Sequence, residues 1–339
     1  MKIMFNKNIG LKYYFKTFSS IVKGKPFILY HKPTLLCNCK CEFCDFWKIN
    51  DPNEIKLTKE KITWILKEGW NKGFSTYVLW GGEPLMVKDL GFYLKIAKNI
   101  GYKTSMCTSG LLLKQRYEEI KDNIDIIIIS LESTGEKHNR TRRTPNLFEK
   151  IVEGVELFKK EKNVKIKIWS HINRINKDDF IDVLKFAKKY GIVVEFFPSN
   201  VYSDYNESII LDKNERYDVF NRIIFYKKIG YPVNNSIKAL KIMRDQTPYI
   251  CNKAKISVQI ENDGTINPCE RRFVKDMKSY GNILKDGFSK MDDKEVYLYN
   301  IKKLSHCTSC FFPCVGESVD NLFVSGFVRF LNFVVNKDS

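Results

Sequence analysis

The chain predicts an α/β fold in which helices cover a parallel sheet. Three observations carry this reading. Short apolar runs of strand type alternate with helical periodicity six times between Phe27 and Phe197. The connections between them are short, as turns in α/β units are. One run, Asp125-Ile-Ile-Ile-Ile-Ser130, is apolar at every inner position, which suits a strand buried on both faces. Such alternation builds either an open doubly wound sheet or a barrel. No G-x-G-x-x-G follows the first strand, so the dinucleotide-binding version lacks its fingerprint.

Residues 9–23 (IGLKYYFKTFSSIVK) mix apolar and basic positions at helical spacing until Gly24-Lys-Pro26 breaks the pattern. Residues 1–26 are therefore set apart as an amphipathic N-terminal helix. Phe27–Leu36 reads as a strand running into a polar, cysteine-bearing loop. Thr58 is placed to cap a helix over 59–71, whose Ile62, Ile65 and Leu66 share one face. A short buried-type strand, Tyr77–Trp80, ends at Gly81-Gly82-Glu83-Pro84. Helix 88–99 and a strand at Lys103–Cys107 follow, ending in Thr108-Ser109-Gly110. Helix 112–121, strand 125–130, helix 145–161, strand 164–170, helix 177–189 and strand Ile192–Phe197 complete the alternation. Past Pro198 the pattern changes. Residues 211–229 and 236–245 read as helices. Ile256–Ile260 and Thr265–Asn267 read as a hairpin turned through Glu-Asn-Asp-Gly264, with the glycine left-handed. The tail, 318–339, spaces aromatic and aliphatic residues over Ser318–Val334 as an amphipathic helix does.

At 339 residues there is room for one large α/β domain and a smaller one. The net charge of +18 could serve nucleic acid or an acidic membrane. Lys, Ile and Asn are abundant together, however, which points to compositional bias, and no nucleic-acid partner is expected. Nine of the ten cysteines bunch at 37–44 and 251–314 in a long chain that shows no secretory leader. That clustering points to metal sites in a reducing compartment, not to a disulfide scaffold. No run reaches the roughly 18 unbroken apolar residues of a membrane span. The expected location is the cytoplasm, with membrane-surface contact through the amphipathic ends as an alternative.

Cys37-Asn-Cys-Lys-Cys41-Glu-Phe-Cys44 is a C-x3-C-x2-C run in the loop after the first strand. Soft thiolates favour zinc or an iron–sulfur cluster. On a four-iron cubane, three of them leave one iron open to a small molecule. With Phe43 before the last cysteine, the run resembles the radical S-adenosylmethionine (SAM) superfamily. The resemblance covers roughly residues 27–316. It implies a partial (β/α)6 TIM-type barrel over 27–235, a [4Fe–4S] cluster on Cys37, Cys41 and Cys44, and SAM on the open iron. It also implies an electron donor such as a ferredoxin or flavodoxin. The implied reaction is reductive cleavage of SAM to a 5′-deoxyadenosyl radical, which takes hydrogen from an unactivated position.

The other motifs also fall at the carboxyl ends of strands, where barrels and open α/β sheets carry their sites. Gly81-Gly82-Glu83-Pro84 matches the family's GGEP, which binds the SAM amino group. Glycines let the backbone approach, and a carboxylate facing an ammonium makes a charge-assisted hydrogen bond. Ser130-Leu-Glu132…His138-Asn-Arg-Thr-Arg142 resembles S-L-D-G…H-D-x-x-R. By that match Ser130 lies by the SAM ribose or carboxylate, and Arg142 forks onto the carboxylate. Glu132 and Asn139 stand where the family has Asp, and Ser109 where a T-N-G turn has Asn.

Cys251-x12-Gly264-x4-Cys269 and Cys307-x2-Cys310-x3-Cys314 resemble the SPASM/twitch extension of peptide and sulfatase maturases. The first half of that pattern is met in full and the second is not. The resemblance implies one auxiliary [4Fe–4S] cluster within 236–317, on Cys251, Cys269, Cys307 and Cys310 with Cys314 exchangeable. A structural zinc site fits the same thiolate count. Glu270 follows Cys269 where sulfatase-maturing relatives carry an acidic residue that accepts a substrate proton; simple solvation is its alternative. Cys39 and Cys107 belong to neither pattern and read as small buried or loop residues. His31, His138 and His171 read as strand-end or turn polar groups, while His306 is a substitute ligand beside Cys307. The expected substrate is a peptide or protein, with a lipid or isoprenoid as runner-up. A basic, zinc-binding, nucleic-acid-associated protein is the alternative from another class.

Overall fold

Six strands cross one sheet in chain order, each parallel to the last. They are β1 (Ile28–His31), β2 (Thr76–Leu79), β3 (Lys103–Thr108), β4 (Ile126–Ser130), β5 (Lys165–Ile172) and β6 (Val193–Pro198). This is a computed structural model, and it describes residues 11–49, 54–55, 57–200, 204–271, 274, 276–305, 307 and 310. The first and sixth strands do not pair, so the sheet is an open, partial (β/α)6 barrel. Ile127, Ile128 and Ile129 of β4 are all buried, as a strand covered on both faces requires.

The helices are α1 (Leu11–Val22), α2 (Lys59–Lys72), α3 (Leu90–Ile100), α4 (Tyr117–Ile120), α5 (Gly135–Thr141) and α6 (Leu147–Phe158). They continue as α7 (Phe180–Tyr190), α8 (Lys213–Lys228), α9 (Ile237–Asp245), α10 (Lys253–Ile256) and α11 (Lys294–Ser305). Thr58 caps α2 as its position predicts, its side chain accepting from Lys61 N–H at 3.3 Å. Ile62, Ile65 and Leu66 form the buried stripe of that helix. The helix anticipated at 112–121 is reduced to α4. Leu113 instead drops into the core, and Arg116 turns to the carbonyls of Leu85 and Val87, at 3.0 and 2.9 Å. Helices α5, α10 and α11 have no counterpart in the sequence reading.

The C-terminal hairpin forms, with Gly264 at φ +82°, but its first strand joins the main sheet. β7 (Ser257–Ile260) runs parallel to β1 on the side away from β2, and β8 (Ile266–Asn267) is antiparallel to β7. β1 is thus flanked on both sides, with Ile28 opposite Thr76 and Ser257. The apolar side chains of Val258 and Ile260 are fully buried by this addition. At the other end of the chain, α1 is tied to the α2–β2 junction. Ser20 Oγ donates to Gly73 O at 2.7 Å, and Thr17 Oγ1 lies 2.6 Å from Ser75 Oγ. Among the described residues no helix is long and apolar enough to cross a membrane. The tail over 318–339 and Cys314 lie outside the described residues.

Candidate active site

The cysteine loop leaves β1 and is held from two directions. Lys40 N–H donates to Arg142 O at 3.2 Å and Glu42 N–H to Thr141 O at 3.0 Å, so the end of α5 brackets Cys41 on both sides. On the other flank, Gly82 N–H donates to Thr34 O and Glu83 N–H to Leu36 O, at 3.1 and 2.8 Å. Only glycine fits at position 82, because a Cβ there would come 2.1 Å from Leu36 O. Gly81 is left-handed, at φ +118°, and lies against the Lys32 side chain. The turn after β2 is therefore locked to the cysteine loop backbone to backbone.

Glu83 is buried and fully occupied. Its carboxylate accepts from Leu85 N–H (3.0 Å), Thr108 Oγ1 (2.7 Å), Ser109 N–H (2.8 Å) and Ser109 Oγ (2.7 Å). Burial pushes its carboxyl above the ordinary range, and these four donors pull back against that. The side chain clamps the end of β3 to the turn after β2, which leaves the backbone of that turn to line the cavity. The role of Thr108-Ser109 as donors to this carboxylate was not legible as such, though the Thr-Ser-Gly turn flagged the position.

Arg142 also has its partner within the chain. Its Nε and Nη2 donate to the two oxygens of Glu132 at 2.8 and 2.7 Å, a fork-on-carboxylate pair with both side chains buried. The fork that the sequence assigns to the SAM carboxylate is thus filled by Glu132, the residue that departs from the family's Asp. The remaining arm, Nη1, lies 3.6 Å from Cys41 Sγ, and the guanidinium sits 5.3 Å from the Phe43 ring centroid. The Cys41 thiol is pushed up by its hydrogen bond with Cys39 and by burial, against the pull of Arg142.

One open cavity gathers most of these groups, with about 970 Å³ of empty space counting its mouth. That is the scale of a cofactor or ligand pocket. Cys37, Cys41, Phe43 and Cys44 form one wall, Gly81, Gly82 and Glu83 another, and Ser130 and Arg142 a third. The sequence reading missed the aromatic part of the lining: Phe46, Trp80, Trp169 and His171. It also missed Cys107 and Ser199, which line the same cavity. Alternation along β5 could have found Trp169 and His171, since both lie two apart on one face of the strand. Burial holds His171 neutral, with its pKa lowered to about 4, and its ring stacks 6.4 Å from Phe43.

Three thiols outside any disulfide share a wall facing a glycine turn that no larger residue could make. That donor set, with an arginine beside one sulfur, fits a cubane cluster with one open iron. Comparison with known proteins agrees with this donor set: residues 32–187 match the family model described as the radical SAM superfamily. These residues form a radical SAM domain. The chain is a radical SAM enzyme, and its cofactors are a [4Fe–4S] cluster and SAM.

Two similar curated proteins are a probable GTP 3′,8-cyclase of Sulfolobus acidocaldarius and the GTP 3′,8-cyclase of Aliarcobacter butzleri. The first is 26% identical over 279 residues, which is 78% of this chain and 87% of that protein. The second is 30% identical over 168 residues, 47% of this chain and 51% of that protein. The alignment thus spans only about half the length of the second relative, as it does for a probable GTP 3′,8-cyclase of Saccharolobus islandicus. Among solved structures, Streptococcus suis SuiB bound to S-adenosylmethionine superposes with a TM-score of 0.67 at 18% identity. The match covers 90% of this chain and 77% of that one, and it bears on the fold alone.

These relatives correct the substrate and partner expectations. Curated radical SAM relatives named for GTP overturn the peptide, protein, lipid and isoprenoid substrates. The family match likewise overturns the zinc-binding, nucleic-acid-associated alternative. The misleading signals were a cysteine pattern shared among radical SAM enzymes of different substrates and amphipathic ends that say nothing of the cavity.

Among the described residues, the second cysteine group takes no part in the lining of this cavity. Cys251, Cys269 and Cys310 are buried and Cys307 is half-buried. Cys269 and Cys307 pack in one small apolar core with Ala254, Val274 and Leu304. Tyr249 Oη donates to Cys310 O at 2.6 Å, bringing that cysteine near the Cys251 segment. Glu270 is neither solvated nor in the cavity lining. It is buried beside Lys32, whose ammonium lies 2.5 Å from Glu270 and 2.9 Å from Glu261. His306 falls outside the described residues. Cys39 is buried in the main core beside the thiols of Cys37 and Cys41.

Proposed function

We propose that this radical SAM enzyme acts on a purine nucleoside triphosphate, with GTP as the substrate to test first. The observation that carries the reading is the likeness to the Sulfolobus cyclase, which runs through 78% of this chain and 87% of that protein. Two features of the chain support it. Trp80 and Trp169 give the cavity flat apolar faces suited to a base, and Trp169 is fixed by its Nε1–H to Glu195 at 2.8 Å. The net charge of +18 favours approach of a polyphosphate.

When bound, the cluster and SAM supply a 5′-deoxyadenosyl radical that takes a hydrogen atom from the substrate. In our reading Cys37, Cys41 and Cys44 hold that cluster, and the backbone of Gly81-Gly82-Glu83-Pro84 faces the SAM amino group. Phe43 and His171 cover the cluster side and keep water from it. Ser130 offers a hydroxyl at the end of β4 toward SAM. Cys251, Cys269, Cys307 and Cys310, with Cys314 exchangeable, would hold an auxiliary [4Fe–4S] cluster within 236–317. Reduced thiol ligands of this kind suit the cytoplasm.

The test is anaerobic turnover of reconstituted protein with SAM, dithionite and GTP. Formation of 5′-deoxyadenosine should rise with GTP and not with an equal concentration of CTP. A new compound isomeric with GTP should appear by mass spectrometry, since a ring closure that regains one electron and one proton after losing a hydrogen atom conserves mass. Equal 5′-deoxyadenosine with and without GTP, and intact GTP, would exclude this substrate.

A further inference from the structure

We infer that Glu132 is a positioning residue for the first cluster, acting through Arg142 to set the potential at which that cluster accepts an electron. The inference rests on the reading of Cys37, Cys41 and Cys44 as its ligands. Arg142 has three nitrogen arms, and Glu132 takes two of them at 2.8 and 2.7 Å. The third is left 3.6 Å from Cys41 Sγ. Glu132 is fully buried and Arg142 nearly so, so the orientation of the guanidinium is set by protein partners, not by water.

The backbone reinforces the same alignment. The carbonyls of Thr141 and Arg142 receive the N–H groups of Glu42 and Lys40, on either side of Cys41. Arg142 and its target sulfur are therefore carried on two segments stitched together within one residue of each. An N–H donor and a cation beside a cluster sulfur stabilise the more negative, reduced state. Glu132 does two opposing things in that setting. It aims the donor at Cys41, and its charge cancels most of the arginine's field.

The two side chains therefore shift the potential in opposite directions. Glu132→Gln keeps the shape and one acceptor but leaves the Arg142 charge uncompensated, so the midpoint should rise. Arg142→Gln removes both the cation and the donor, so the midpoint should fall. Glu132→Asp keeps the charge and should lie between wild type and Glu132→Gln. The expected size is about a tenfold change in the reduced-to-oxidised ratio at fixed potential, which is 59 mV for a one-electron couple.

The measurement is a redox titration of the anaerobically reconstituted full chain followed by electron paramagnetic resonance, reading the signal that added SAM perturbs. Opposite shifts in Glu132→Gln and Arg142→Gln support the inference. Wild-type midpoints in both, or shifts of the same sign, overturn it and leave Glu132 a packing residue. If Glu132→Gln fails to hold iron, Arg142→Lys replaces it: the charge stays, the arm toward Cys41 goes, and the midpoint should still fall. An unchanged midpoint in Arg142→Lys overturns the inference too. The ligand reading fails separately, if the SAM-perturbed signal survives alanine at Cys37, Cys41 and Cys44 together.

Discussion

The two cysteine groups of this chain are built in opposite ways. Cys37, Cys41 and Cys44 sit within eight residues on a loop fastened by backbone hydrogen bonds to the turn after β2 and to the end of α5. Cys251, Cys269, Cys307 and Cys310 come from segments spread over 60 residues, and two of them, Cys269 and Cys307, pack in a small apolar core. The first group is shaped by strand ends and by backbone hydrogen bonds that need no cluster atoms. The second has little apolar area of its own, so a cluster bound there, as we propose, would contribute to closing it. On that proposal the first region offers its cluster a finished scaffold, and the second would be completed by its cluster. The regions touch through Lys32, which lies 5.0 Å from the Trp80 ring of the cavity and pairs with Glu270 beside Cys269.

The largest effect should come from exchanging the cysteines themselves. Alanine at Cys37, Cys41 and Cys44 should abolish 5′-deoxyadenosine formation and remove about half of the iron and sulfide. Global unfolding by urea should change little, because the loop is held by its backbone. Alanine at Cys251, Cys269, Cys307 and Cys310 should instead leave uncoupled SAM cleavage in place and weaken protection of residues 236–305 against proteolysis. Iron counting, SAM cleavage and limited proteolysis on both variants check the contrast. Equal loss of stability in the two variants would show that the regions do not differ as described.

Next in size is the contact that joins them. Lys32→Met leaves Glu261 and Glu270 as two buried carboxylates with their shared cation gone. Breaking a buried pair in this way costs about 3–5 kcal/mol. Adding Glu261→Gln and Glu270→Gln should recover much of that, since the glutamines keep the volume and lose the charge. Urea unfolding of the single and triple variants measures both numbers. A triple variant as unstable as Lys32→Met alone would mean that the lysine stem, packed under Gly81 and Trp80, matters more than its charge.

Much of this contrast was legible in the sequence, and what was not has a physical reason. Alternating apolar runs placed all six barrel strands and the longer helices between them, because burial imposes its period on residues close in sequence. The C-x3-C-x2-C loop, GGEP and the strand-end serine fell into one cavity for the same reason: each follows a strand directly. The pairing of β7 with β1 was not legible, since residues 229 apart in the chain share no local pattern. Nor was Glu132 as the partner of Arg142, or Lys32 between Glu261 and Glu270. A lysine in a strand-end run such as Tyr30-His-Lys-Pro33 looks solvated until its buried partners arrive from elsewhere. Substrate was the hardest to read, because a cavity floor built for SAM is shared by enzymes that differ at the mouth.

The smallest expected effect concerns acid stability, and it belongs to the barrel side alone among the described residues. His138 is fully buried, with neither ring nitrogen hydrogen-bonded. Burial, and secondarily the Arg142 charge, lower its pKa from 6.5 to about 4, against the weaker pull of Glu132. The folded state thus binds fewer protons than the unfolded state between those values, and stability rises with pH there. The contribution is complete above pH 6.5 and is lost as pH falls toward 4. Between pH 7.5 and 5.5 the loss should be about 1.3 kcal/mol from this residue. His138→Leu removes the titrating group and keeps an apolar side chain of similar bulk. Its stability relative to wild type, from urea unfolding at the two pH values, should therefore improve by about that amount on going to pH 5.5. The same difference at both pH values would mean that His138 reaches water or a partner on acidification, and that the wall behind Arg142 is looser than its burial suggests.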